Sequence, residues 1–153
     1  MDTTRTDVPT VRLAAVRDRV PMTALAEFYD RAYTQVSETA AHAGWTISGP
    51  ALGWYHAMPT DTVELTAGFP VDGPDVGASS GDVVVVERPG GPALVLTYTG
   101  PYDGLPGAWE QLERDRVALG VEGRGDFWEE YVTDPEPGGD PAANVTRLVL
   151  PTS

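Results

Sequence analysis

Cysteine is absent from the 153 residues, and so is lysine, since all ten basic residues are arginine. Without a thiol there is no disulfide, no thiolate nucleophile and no cysteine-held metal. Histidine occurs only at His42 and His56. These lie far apart and have no adjoining carboxylate motif, so neither a metal nor any cofactor is expected. Positive charge is scarce as well: the ten arginines face twenty-three Asp and Glu, for a net charge of −13. Such a surface repels phosphate backbones and argues against direct binding to nucleic acid. It suits a cationic ligand, or a partner that itself binds nucleic acid, and it also keeps a protein in solution. No apolar run approaches the length of a bilayer span, and the polar Met1–Thr10 stretch has no signal-peptide core. A cytoplasmic protein with no membrane partner is therefore expected. The glycine-rich stretches lack the lysine of a phosphate loop, and no serine sits in a G-x-S-x-G elbow.

What is present describes an ordinary folded domain, with 41% apolar and 22% charged residues in a chain of single-domain length. Residues 1–7 read as a disordered tail, and 8–153 as one domain. Thr10–Val16 reads as a first strand, and Pro21 and a capping Thr23 precede a helix over Ala24–Ala43. That helix carries Leu25, Tyr29, Ala32, Val36 and Ala43 on one face, with Gly44 as its stop. Ala51–Ala57 and Thr62–Phe69 follow as strands, and Val71–Gly81 as a loop. The second half repeats the order. Val83–Glu87 and Ala93–Thr99 are strands about a turn at Pro89–Pro92. A helix capped by Asp103 then runs to Leu119, with Leu105, Ala108, Leu112 and Leu119 inward. Phe127–Thr133, a loop over Asp134–Ala143 and Asn144–Leu150 complete the chain.

The repeat is one of architecture rather than of letters. It predicts an α+β fold of two pseudo-symmetric βαββ units with antiparallel sheets, spanning about 8–72 and 82–151, with a ligand cleft between them. One ferredoxin-like sheet with extra strands is the alternative. Strand alternation puts Phe127, Glu129 and Tyr131 on one face and Trp128, Glu130 and Val132 on the other. If the first face turns inward, a carboxylate stands between two rings, where burial raises its pKa and a cationic ligand lowers it again. Rings also attract positive charge, so the set suits a flat cation. Glu129 as a solvated acid on an edge strand is the competing reading. Trp54 and Tyr55 sit on opposite faces of one strand, so only one points inward without a bulge. Tyr98, Tyr102 and Trp109 are further candidates for the cleft, although core packing is the commoner role for each taken singly.

Three segments carry a family resemblance: Tyr98-Thr-Gly-Pro-Tyr-Asp103 with Leu105, Trp128-Glu-Glu-Tyr-Val-Thr-Asp-Pro135, and Val145-Thr-Arg-Leu-Val-Leu-Pro151. With Ile47-Ser-Gly-Pro50, Trp54-Tyr55 and Phe69-Pro70-Val71, they resemble the GyrI-like small-molecule-binding domain. In that family the domain is the effector-binding part of multidrug-sensing regulators. The resemblance covers about residues 8–151 and implies paired βαββ units around a cleft, with Glu129 as the pocket acid and Glu130 one register away. It also implies a ligand-binding set of Trp54, Tyr55, Phe69, Tyr98, Tyr102, Trp109, Phe127, Glu129 and Tyr131. The regulators' helix-turn-helix domain has no counterpart before Val8, so a stand-alone form is expected. The first reading is a binder of hydrophobic or cationic aromatic small molecules. The second is a hydrolase of strained cyclopropane-bearing DNA alkylators, with Glu129 activating water and Tyr131 or Tyr98 donating to the developing oxyanion. The third, behind both, is an acidic protein whose partner is DNA gyrase.

Overall fold

A computed structural model of the chain describes residues 2–133 and 140–153. Asp134 and Pro135, and with them most of the loop expected over Asp134–Ala143, lie outside the described residues. In chain order the elements are β1 (Thr3–Val8), β2 (Val11–Pro21), α1 (Leu25–Ala43), β3 (Thr46–Ile47), β4 (Ala51–Tyr55), β5 (Thr62–Asp72), β6 (Ser79–Ser80), β7 (Val83–Arg88), β8 (Gly91–Thr99), α2 (Leu105–Leu119), β9 (Phe127–Tyr131) and β10 (Val145–Pro151). The strands form an antiparallel sheet in the order β1-β8-β10-β9-β4-β5-β2-β7-β6, with β3 beside β5.

The order is symmetric about the β4–β9 pair. The first half contributes β4-β5-β2 on one side and the second half β9-β10-β8 on the other. The two βαββ units therefore join edge to edge into one continuous sheet. Outside them β7, which precedes β8 in sequence, pairs with β2, and β1, which precedes β2, pairs with β8. Each half thus lends its leading strand to the other. This exchange corrects the reading of residues 1–7 as a disordered tail. Thr3–Val8 is polar because it is an edge strand, yet its pairing with Gly91–Leu96 is complete. Its threonines suit an extended backbone.

The exchange also forces the sheet to roll. β1 and β2 stand six positions apart in the strand order, about 29 Å in a flat sheet, yet Val8 and Val11 are three residue steps apart, at most about 11 Å. Arg88 and Gly91 impose the same condition at β7 and β8. The sheet accordingly curls away from the helices and buries its inner face as well. Leu13, Ala15 and Leu52, and near them Val8, Ala93, Val95, Trp128 and Val149, form that inner core. Within it the Arg88 guanidinium lies 3.8 Å from the Trp128 ring centroid and donates to the Pro9 carbonyl.

On the outer face α1 seats Phe28, Ala32 and Val36 over Val16, Leu65 and Ala67, and α2 seats Leu105, Ala108 and Leu112 over Leu94, Leu96 and Leu148. Each large side chain fully buried there contributes roughly 1.5–3 kcal/mol. Ala43 and Leu119, expected inward, are exposed, because each lies in the last turn of its helix beyond the sheet. Neither Thr23 nor Asp103 caps a helix. A short 3-10 turn after Pro21 and another after Pro101 lead into α1 and α2, and their own carbonyls take the first helical N–H bonds. Gly44 and Gly120 end the helices in the left-handed conformation, as expected.

Candidate functional site

The two helices cover the two ends of the outer face and leave its centre, the β4–β9 seam, open. A cavity of about 870 Å³ occupies that gap, within the range of small-molecule sites. Tyr29 and Tyr33 of α1, Tyr55 of β4, Phe69 of β5, and Glu129 and Tyr131 of β9 form its walls and floor. Met22, Thr23, Asp30, Tyr102 and Thr133 complete the lining with Leu25, Ala26, Ala51 and Leu105. The two proline-led 3-10 turns thus place Met22 and Tyr102 against the cavity from either half.

Glu129 is 7% exposed. Its strand neighbours across the sheet are Gly53 and Leu148, which offer its side chain no polar group. Its carboxylate is held from other directions: Trp109 of α2 donates its indole N–H to Oε1 at 3.1 Å, and the Tyr131 hydroxyl donates to Oε2 at 2.8 Å. Burial pushes the carboxyl above its ordinary value of 4.5, and the two hydrogen bonds pull part of the way back. The Tyr29 hydroxyl lies 3.3 Å from that of Tyr131 and 2.6 Å from that of Tyr55. Burial also raises the phenols of Tyr29, Tyr33, Tyr55 and Tyr131, so all four remain protonated donors at neutral pH. The result is a chain of three phenols ending on one carboxylate.

Gly53 makes this chain possible. A Cβ on Gly53 would fall 2.2 Å from the Tyr29 hydroxyl oxygen and 2.9 Å from two of its ring carbons. The tip of the Tyr29 ring therefore occupies the space a side chain would fill, directly across the strand pair from Glu129. Ring packing fixes the rest: Tyr29 stacks on Tyr33 at 5.5 Å between centroids and meets Tyr131 edge-on at 5.9 Å. Tyr33 in turn packs on Phe69 at 5.4 Å.

Of the residues expected from the sequence, Tyr55, Phe69, Tyr102, Glu129 and Tyr131 line the cavity. Phe127 and Trp109 stand behind it. Phe127 stacks on Tyr55 at 5.2 Å and meets Trp109 edge-on at 5.0 Å, so both brace the wall rather than form it. Trp54 is a correction: strand alternation turns it to the inner face, where its indole N–H binds Asp126 at 2.9 Å. Tyr98 is another. Its hydroxyl donates to the Pro101 carbonyl at 2.7 Å and props up the turn that carries Tyr102. Glu130 also faces away, accepting from the Trp128 indole at 2.9 Å and pairing with Arg147 at 3.3 Å. Tyr33 is the principal wall residue the sequence reading missed, and Tyr29 was assigned to core. Their spacing of four residues on one helix was the available signal. Among the described residues, no group of three or more His, Asp or Glu gathers as a metal site, and no helix is long and apolar enough to cross a membrane.

Solved structures of the same fold include the EcmrR C-terminal domain, with a TM-score of 0.85 at 18% identity over 99% of this chain and 97% of that one. The EcmrR chain in a complex with DNA matches at 0.83 and 19% identity; this chain, matched over 99% of its length, spans 57% of it. SAV2435 bound to tetraphenylphosphonium matches at 0.67 and 12% identity, covering all of this chain and 94% of that one. A hydrolase from Listeria innocua matches at 0.67 and 14% identity, over 99% and 92% of the two chains. No curated protein sequence gives a significant match. The model of the GyrI-like small molecule binding domain matches residues 1–152, and the chain therefore belongs to the GyrI-like family.

Proposed function

We propose that this protein binds flat or propeller-shaped lipophilic cations in the tyrosine-walled cavity, with Glu129 as the counter-charge. The observation that carries the reading is a buried carboxylate with no basic partner. Glu129 has an indole and a phenol as its hydrogen-bond donors, and no arginine lines the cavity among the described residues. A buried charge without a counter-ion is costly, and a ligand cation removes that cost. The ring faces of Tyr29, Tyr33, Tyr55 and Phe69 add cation–π attraction that tolerates many ligand shapes. The tetraphenylphosphonium held by SAV2435 is of this chemical class.

A hydrolytic reading stands second. It is favoured by the raised pKa of Glu129, which suits a carboxylate that takes a proton from water, and by the likeness in fold to a hydrolase. One experiment separates the two. Tetraphenylphosphonium and strained cyclopropane-bearing aromatic electrophiles are each titrated against tryptophan fluorescence, and each is then recovered and weighed by mass spectrometry. Saturable binding with every compound recovered intact supports the binder. Recovery of an electrophile one water heavier, lost on Glu129→Gln, replaces it with the hydrolase. Absence of saturation for all of them refutes both.

A further inference from the structure

Two carboxylates line the cavity, and they stand at different depths. Glu129 is at the floor, 7% exposed and held by its indole and phenol donors. The second is Asp30 of α1, which lines the same cavity yet is exposed to solvent. Helix geometry separates them. Successive residues turn by about 100°, so Tyr29 and Tyr33 form one ridge of α1, and Ala26 and Asp30 form the next. The tyrosine ridge is half-buried and walls the cavity; the Ala26–Asp30 ridge is exposed and forms its mouth. The Tyr29 hydroxyl lies 3.3 Å from that of Tyr131, which in turn binds Glu129 at 2.8 Å. The whole Tyr29 side chain therefore stands between Glu129 and the helix turn that carries Asp30.

Neither acid has a basic partner. Among the described residues the Asp30 carboxylate joins no salt bridge, and Arg31 beside it pairs instead with Asp18 at 3.4 Å. The cavity thus offers one negative charge in a desolvated floor, a second at a wet mouth, and aromatic wall between the two.

We propose that the site selects dications: a flat aromatic cation lodges among the rings against Glu129, and a second positive group on an aliphatic arm reaches the mouth and pairs with Asp30. The proposal rests on the cation reading above and narrows its ligand class. The floor charge supplies most of the affinity because it acts out of water, whereas the mouth charge adds what an exposed ion pair adds. Asp30 is in this sense a specificity residue, setting the preference for two charges over one.

Ethidium and propidium test it, since they share one phenanthridinium ring. Ethidium ends in an ethyl group and carries one charge; propidium ends in a quaternary ammonium arm and carries two. Each is titrated by dye fluorescence against wild type, Asp30→Asn, Glu38→Gln and Glu129→Gln. The salt is held at about 0.15 M, where exposed charges more than about 8 Å apart are largely screened. Glu38 is an exposed acid of α1 outside the cavity, so its loss removes the same net charge. Asp30→Asn should weaken propidium about two- to fivefold and leave ethidium unchanged, while Glu38→Gln alters neither. Equal effects of Asp30→Asn on the two dyes, a matching loss of propidium in Glu38→Gln, or failure of propidium alone to bind overturns the proposal. Provided Glu129→Gln weakens ethidium, the cation reading survives any of these results. Failure of both dyes to saturate the wild type, or undiminished binding of both by Glu129→Gln, overturns that reading and this proposal with it.

Discussion

Replacing Gly53 by alanine tests how the site is built. A new Cβ would stand 2.2 Å from the Tyr29 hydroxyl, against roughly 3.5 Å for an ordinary contact, so the ring must retreat by more than 1 Å. That movement breaks the 2.6 Å bond to Tyr55 and the 3.3 Å approach to Tyr131. Two hydrogen bonds at about 1 kcal/mol each, with about 1–2 kcal/mol of overpacking, sum to about 3–4 kcal/mol. For a domain of this size the melting temperature should fall by about 6–16 °C. Tetraphenylphosphonium affinity should fall as well, since Tyr29 forms a cavity wall. The decisive assay is a double-mutant cycle with Tyr29→Leu, which withdraws the ring tip. In that background Gly53→Ala should cost less than about 1 kcal/mol, a coupling of 2 kcal/mol or more. Additive losses would refute the steric account and leave Gly53 as an ordinary strand glycine.

Three further outcomes follow from named contacts. Tyr98→Phe loses the bond to Pro101 and about 1 kcal/mol of stability, yet leaves tetraphenylphosphonium affinity unchanged within about twofold; a larger loss of affinity would return Tyr98 to the cavity wall. Deleting residues 2–8 removes the strand that covers Gly91–Leu96 and abolishes cooperative thermal unfolding, whereas a mere tail would be removed without effect. The folded-state pKa of Glu129 is raised, so the native protein binds more protons than the unfolded chain just above the ordinary carboxyl range. Stability therefore falls as pH rises through the raised value, and the loss persists above it. Glu129→Gln removes this penalty and should melt higher than wild type at pH 7, the gap closing toward pH 4; a lower melting temperature at pH 7 would contradict it.

The parts of the fold legible in the sequence were those set by local periodicity. The apolar spacing of α1 and the glycine stops reached the right elements; the alternation grouped Phe127, Glu129 and Tyr131 on one face but left open which face meets the cavity, and only the family resemblance singled out Glu129. What escaped depends on partners distant in sequence. Thr3–Val8 has no apolar stripe, and only its exchange onto β8 makes it a strand. Alternation alone keeps Trp54 and Tyr55 as alternatives, because which face of β4 looks outward depends on its pairing with β9. Tyr29 and Tyr33 lie on a helix that the periodicity assigned to core, and they do rest on the core. Their hydroxyl ends reach the cavity only because Gly53 leaves room on the opposing strand. A single missing side chain does not announce itself in a sequence.

In the binding reading a ligand cation supplies the counter-charge that Glu129 lacks. At an effective dielectric of about 20, a charge held about 6 Å from the carboxylate is worth about 3 kcal/mol, or about a hundredfold in affinity. The direct measurement is the dissociation constant of tetraphenylphosphonium for the wild type and Glu129→Gln across pH 4–8. Wild-type affinity should climb with pH through the Glu129 titration and exceed that of the variant about a hundredfold at pH 7. Equal affinities at pH 7, with both proteins folded, would contradict it.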